Sequence, residues 1–171
     1  MATLGLVVSA CYGVDRRLCA EIAGPAAERG WRLAVTVTPT AERWLRASGE
    51  FERLTALTDL PVRSEPRLPG EPRPHPDPGH FLFVPASANS VAKLALGLAD
   101  NQALTVLCEA VGGPPQVVVC PQLSAEQIRH PAWSGHLRTL RGADVRIEPL
   151  APDQPWTSVL DALDTSTVGE P

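Results

Sequence analysis

Four short runs in this chain, "LGLVV" from Leu4, "LAVTV" from Leu33, "FLFV" from Phe81 and "VVVC" from Val117, are apolar at almost every position instead of every second one. A strand with one face in water alternates, whereas a run that is apolar throughout needs cover on both faces. The segments between these runs carry helical spacing: in "DRRLCAEIAGPAAERG", Leu18, Ile22 and Ala26 recur four apart on one face. Doubly covered strands separated by helices specify an α/β fold of three layers, a parallel sheet with helices on both faces. The 171 residues suffice for one such domain with a real core and are few for two, so residues 1–171 are read as a single domain.

The remaining elements follow from local signals. Asp15 is placed to cap the first helix and Gly30 to end it. "WRLAVTVT" is the second strand, and "PTAERWLRAS" opens a helix at Pro39. A strand over 81–84, helices near 89–99 and 102–111, a strand from Val117 to Cys120, a helix near 132–141, a strand from Val145 to Ile147 and a helix near 156–163 are predicted next. The tail 165–171 is expected to fray. Residues 61–79 hold seven prolines and two glycines, which excludes regular structure and predicts an extended surface loop. No internal repeat is present.

Net charge is −4, and the basic residues, one lysine (Lys93) and otherwise arginines, are scattered along the chain. That pattern gives no support to nucleic-acid binding. Cys11, Cys19, Cys108 and Cys120 contain no Cys-x-x-Cys pair, so reduced thiols are expected, without a disulfide framework or metal site. No apolar run approaches the length of a membrane span, and Met1-Ala2-Thr3 lacks the basic flank of a targeting segment. The expectation is a cytoplasmic protein with no membrane partner.

Ligands of open parallel sheets sit beyond the carboxyl ends of the strands, where strand order reverses. The loops to read are therefore 9–14, 38–40, 85–90 and 121–131. The first, "SACYGVD", lacks Gly-x-Gly-x-x-Gly, which argues against NAD. Its small residues still admit a phosphorylated or planar ligand, with Ser9 and Cys11 as candidate neighbours, and an ordinary tight turn accounts for the loop equally well. In "TPTAERW", Thr38 and Thr40 bring hydroxyls to the start of a helix, suited to one phosphate, although Thr40 as a plain N-cap explains the same residues. Trp44, one turn on, reads more readily as a core or interface residue than as a ligand neighbour. In "PASANS" the small residues leave room for a flat ring, and Ser87, Asn89 and Ser90 supply polar groups of which helix capping needs one.

The stretch "PASANSVAKLALGLADN" resembles the signature of the homo-oligomeric flavin-containing cysteine decarboxylases, in particular the peptidyl-cysteine type, and "TPTAERW" is similar to the family's second strand exit. The likeness runs from about residue 3 to residue 149. It implies a flavodoxin-like or Rossmann-like sheet binding FMN at a subunit boundary, in trimers or a dodecamer built of trimers. It further implies that Thr40 binds the FMN phosphate and that Trp44 lies near the flavin. Pro85, Ala86, Ser87 and Ala88 would border the ring, with Asn89 near flavin and substrate.

Two departures from the family pattern are visible. The catalytic histidine upstream of the Pro-Ala-Ser loop has two candidates, His75 ten residues before Pro85 and His80 five before it, and His75 is preferred. A solvated loop histidine accounts for His75 as well. The family's Pro-x-Met-Asn-x-x-Met-Trp substrate clamp is replaced by "PQLSAEQIRHP", in which Pro121 persists, Ser124 stands for the asparagine, and Gln127 and Ile128 stand for Met-Trp. The resemblance therefore implies oxidative decarboxylation of a C-terminal peptidyl cysteine to an enethiol, with His75 as base and Asn89 and Ser124 on the carboxylate. Such an enethiol is the precursor of aminovinyl-cysteine in ribosomal peptide natural products. Alternatives are a phosphopantothenoylcysteine decarboxylase-like or flavin prenyltransferase-like enzyme, or a non-catalytic FMN-binding partner of a synthetase complex.

Overall fold

In the computed structural model, which describes residues 1–164, five parallel strands form one sheet in the order β2-β1-β3-β4-β5. They are β1 (Thr3–Val8), β2 (Arg32–Val37), β3 (His80–Ala86), β4 (Gln116–Pro121) and β5 (Arg146–Ile147). Leu6 lies between Val35 of β2 and Leu82 of β3, so strand order reverses beside β1 and leaves a crevice at the carboxyl ends of β1 and β3.

The all-apolar strands are explained by two separate cores. Leu4, Leu6, Val8, Val35, Val37 and Leu82 face one side. There they meet α1 (Val14–Leu18), a π-helical turn (Cys19–Ala23), α2 (Gly24–Glu28), α3 (Pro39–Ser48) and α4 (Glu50–Ala56). A 3₁₀ turn (Trp156–Leu160) and α9 (Asp161–Asp164) complete that layer. Val7, Phe81, Phe83, Val117 and Val119 face the other side, covered by α5 (Ala88–Leu96), α6 (Gln102–Val111) and α8 (Trp133–Gly142). The expected helix–sheet–helix layering is observed.

Gly5 interrupts the apolar run of β1 for a packing reason. A Cβ built there would lie 2.4 Å from Cδ1 and Cε1 of Phe81, whose ring covers that position from β3.

Several local expectations are corrected. Gly13, at φ 87° in the left-handed region, precedes the first helix, and Asp15 sits inside it without capping. That helix, expected to be continuous, passes through the π-helical turn before Gly30 ends it at φ 88°. Thr38, not Thr40, is the N-cap of α3. The strand predicted over 81–84 extends through Pro85 to Ala86, and α4 and the short α7 (Ala125–Ile128) were not anticipated. The tail 165–171 lies outside the described residues.

The loop 61–79 is irregular but anchored. Arg63 pairs in parallel with Thr36, with Arg63 N–H donating to Val35 O at 3.1 Å and Val37 N–H to Arg63 O at 2.7 Å. The edge of β2 is thereby closed over its last residues. Ser64 hydrogen-bonds the Glu42 carboxylate of α3. The carboxyl-terminal turn is fixed to the first helix: Trp156 N–H donates to Glu21 at 2.7 Å, and the Arg17 guanidinium stacks 4.6 Å over the Trp156 ring. No helix among the described residues is long and apolar enough to cross a membrane.

Gly5→Ala should lower stability by about 1–3 kcal/mol, the usual cost of overpacking, seen as a lower urea midpoint with an unchanged slope. An unchanged midpoint would mean that Phe81 swings aside freely.

Candidate active site

At the β1–β3 crevice the two strand exits are tied together by one hydroxyl. Ser9, 1% exposed, donates from Oγ to Pro85 O at 2.8 Å and accepts at Oγ from Ser87 N–H at 2.8 Å. Its own N–H also reaches Pro85 O, at 3.1 Å. Ser87 in turn caps α5 by accepting from Ser90 N–H at 3.2 Å, and its hydroxyl meets that of Ser90 at 3.1 Å. Three of the predicted ligand hydroxyls therefore hold the loop in shape. What the loop offers outward is the half-buried Ala88 and the side chain of Asn89, which is exposed and makes no intramolecular hydrogen bond among the described residues.

The second exit divides the same labour. Thr38 caps α3 by accepting from Ala41 N–H at 3.2 Å and joins the first exit through its own N–H to Val8 O at 2.9 Å. Thr40, half-buried in the first turn of α3, accepts only a long bond of 3.4 Å from Arg43. A hydroxyl beside an exposed guanidinium is a suitable pair for a phosphate dianion. Arg43 was missed by the sequence reading, although its place one turn after Thr40 on the same helix was the signal. Trp44 is 45% exposed, which removes the core reading, and with Tyr12 and Gly13 it lines a shallow recess of about 470 Å³.

At the fourth exit, Pro121 pairs with Ala86, and Gln122 N–H donates to Ala86 O at 3.0 Å. Gln122 Oε1 is buried and accepts no hydrogen bond, a feature no sequence motif announced. Ser124 and Gln127 form a reciprocal capping box on α7, with bonds of 3.2 and 3.0 Å. Ser124 thus serves its helix where a substrate contact was expected. Ile128 is 55% exposed.

Comparison with known proteins agrees with this architecture. The model of the Flavoprotein family matches residues 29–167. The chain belongs to the Flavoprotein family. It is similar to the solved structure of TvaF, an FMN-dependent cysteine decarboxylase from thioviridamide biosynthesis, with a TM-score of 0.78 and 22% identity over 99% of both chains. Among curated proteins it is 28% identical over 139 residues to the bifunctional coenzyme A biosynthesis protein CoaBC of Vibrio cholerae, covering 75% of this chain and 32% of that one. It is also 33% identical over 63 residues to a cysteine/cysteine sulfinic acid decarboxylase from an unidentified prokaryote, covering 37% of this chain and 17% of that one. The chain spans a third or less of the length of these curated relatives.

FMN is the cofactor that this flavoprotein's family and fold imply, and the residues present fit it. The third exit presents the small, half-buried Ser87 and Ala88 to the crevice, Thr40 with Arg43 suits the phosphate, and the donorless Gln122 Oε1 suits a ring N–H.

The histidines lie elsewhere. His80 starts β3, at the end of the sheet opposite its own chain's strand exits, with its ring edge-on to Trp31 at 5.3 Å. His75 lies in the proline-rich loop, its Nε2–H donating to Pro61 O at 2.7 Å, and shares no hydrogen bond with the exit loops of its own chain among the described residues. Burial holds its pKa below the ordinary value. The bond to Pro61 opposes that shift and the charge of Arg63 adds to it. Nδ1 is left as the basic atom. Burial also raises the Cys11 thiol to about 11, against a lowering by Ser9, so Cys11 is a neutral neighbour of the crevice. No group of three or more His, Cys, Asp or Glu able to hold a metal occurs among the described residues.

Two measurements check this geometry. Ser9→Ala leaves Ser87 N–H without its acceptor and should cost about 1–3 kcal/mol in chemical denaturation. Because the folded-state pKa of His75 is depressed, its contribution is intact above the unfolded-state value of about 6.5 and is lost as pH falls from there toward the folded value. The stability difference between wild type and His75→Gln should accordingly shrink between about pH 7 and pH 5, and a difference independent of pH would contradict the burial.

Proposed function

We propose that this flavoprotein catalyses the FMN-dependent oxidative decarboxylation of a C-terminal cysteine in a ribosomal precursor peptide, giving the enethiol used to form aminovinyl-cysteine. The observation that carries the proposal is the Asn89 amide, exposed and unbonded at the head of α5 on a loop that Ser9 holds fixed. An amide in that state can bond a carboxylate without breaking an internal bond.

Bound FMN supplies the two-electron acceptor to which the substrate Cβ–H is lost as hydride. His75 takes the thiol proton at Nδ1 as general base, because its Nε2–H is engaged by Pro61. The cysteine is thereby oxidised to a thioaldehyde. The Asn89 amide holds the carboxylate until the Cα–carboxylate bond breaks and its electron pair moves into the Cα–Cβ bond as carbon dioxide leaves. The resulting enethiolate takes a proton from the His75 imidazolium, which restores the base. Since His75 does not meet the exit loops of its own chain, it acts on the site of a second copy in a homo-oligomer.

The departure from the family clamp at Ser124, Gln127 and Ile128 favours a peptide distinct from the usual substrates. The CoaBC match supports a second reading, decarboxylation of a cysteine joined to pantothenate, and substrate choice separates the two.

Purified protein should be yellow and should convert peptides ending in cysteine to products lighter by carbon dioxide and two hydrogens, read by mass spectrometry. His75→Gln should keep the flavin spectrum and lose about 10²–10⁴-fold in turnover. Yellow protein that leaves both peptidyl and pantothenoyl cysteine unchanged would turn the assignment to a non-catalytic FMN-binding partner.

A further inference from the structure

A second cavity lies away from the strand exits. It is a cleft of about 930 Å³ between the proline-rich loop and α6, with Thr36 and Phe81 on its floor, Arg63, Arg67 and His75 on the loop wall, and Glu109 on the helix wall. One end is marked by Thr36 and Arg63, next to the carboxyl end of β2, and the other by Gly79 and Pro115, just before the amino ends of β3 and β4. Thr36 lies level with Phe83, four residues beyond Gly79, so the cleft runs along the strands for about four residues of extended chain, roughly 13 Å. Its loop wall carries His75, the base of the proposed reaction.

Seven prolines line the cleft, and the edge of β2 beside it is already paired with Arg63. A ligand cannot add to the sheet there and must be held by side chains. The loop wall carries the cations for that task. Arg73 is paired with Asp77 at 2.8 Å, but Arg63 and Arg67 donate only to the backbone carbonyls of Glu65, at 2.9 Å, and Glu71, at 2.8 Å. Neither has a carboxylate partner among the described residues, although the chain's net charge is −4. The wall is also preformed, latched by His75 to Pro61 and by Ser64 to Glu42. A groove rigid before binding loses little freedom when it is filled.

We propose that this cleft docks the acidic, extended segment of the peptide substrate that precedes its C-terminal cysteine, with carboxylates on Arg63 and Arg67. The inference rests on the peptidyl-cysteine reading above and adds the element that selects the peptide. Glu109 on the facing wall keeps acidic side chains turned toward the loop.

The test uses holoenzyme and two fluorescein-labelled ten-residue peptides ending in serine, one with glutamates and one with lysines at the central positions, followed by anisotropy. Wild type should bind the acidic peptide about tenfold more tightly than the basic one. Arg63→Glu with Arg67→Glu should invert that preference, and Glu109→Arg should strengthen it, a gain that misfolding cannot produce. Equal binding of both peptides, or a preference untouched by these variants, overturns the proposal. The same peptides ending in cysteine, assayed by mass spectrometry, separate the two readings. Selective binding without loss of carbon dioxide sinks the decarboxylase reading and supports the groove, whereas decarboxylation with no charge selectivity sinks the groove alone.

Discussion

The Ser9 hydroxyl sits where strand order reverses and where the backbone bond from Ser9 N–H to Pro85 O joins the diverging exits. By donating to Pro85 O and accepting from Ser87 N–H, it reinforces that bond. A buried group with both donor and acceptor satisfied is rigid, and its position is transmitted to everything attached to the loop. The start of α5, the exposure of Asn89 and, through Ala86, the seating of Gln122 all depend on it. The second exit is joined to the same frame from the other side, by Thr38 N–H on Val8 O. Small and hydroxylated residues follow the strands here because backbone segments from three exits must approach one another with little side-chain bulk between them.

The two faces of the sheet have different duties. The first carries the π-helical turn, α3, α4 and the carboxyl-terminal turn, so it supports the first and second exits, where Thr40 and Arg43 stand. The second carries α5, α6 and α8 and supports the third exit and the proline-rich cleft. Phe81 connects the two regions: it fills the space over Gly5 and also floors the cleft.

The layered fold was legible because its signal is physical and strong. Leu4–Val8 and Val117–Cys120 leave no polar face, and the helical spacing of Leu18, Ile22 and Ala26 leaves one. The family was legible from "PASANS" because that loop combines small size with polarity in a way that capping alone does not require. What sequence reading left open were roles within hydroxyl-rich loops. Ser9, Ser87, Ser90, Thr38 and Ser124 could each bond a ligand or a backbone amide, and the choice depends on geometry only the folded chain supplies. Gln122 was invisible for the opposite reason: it is an ordinary loop residue until its neighbours are known. The bond of His75 to Pro61 likewise follows from the path of loop 61–79, on which a string of prolines is silent.

The attachment of Trp156 to Glu21 spans 135 positions of sequence. Trp156, Leu160 and Leu163 fill the first core from the far end of the described chain, against residues of β1 and the first helix. During synthesis the amino-terminal βα unit therefore emerges with its apolar face open and waits, while more than a hundred further residues are added, for the segment that closes it. The first core closes late, and until then the apolar face of this βα unit is a surface in need of shelter from other chains.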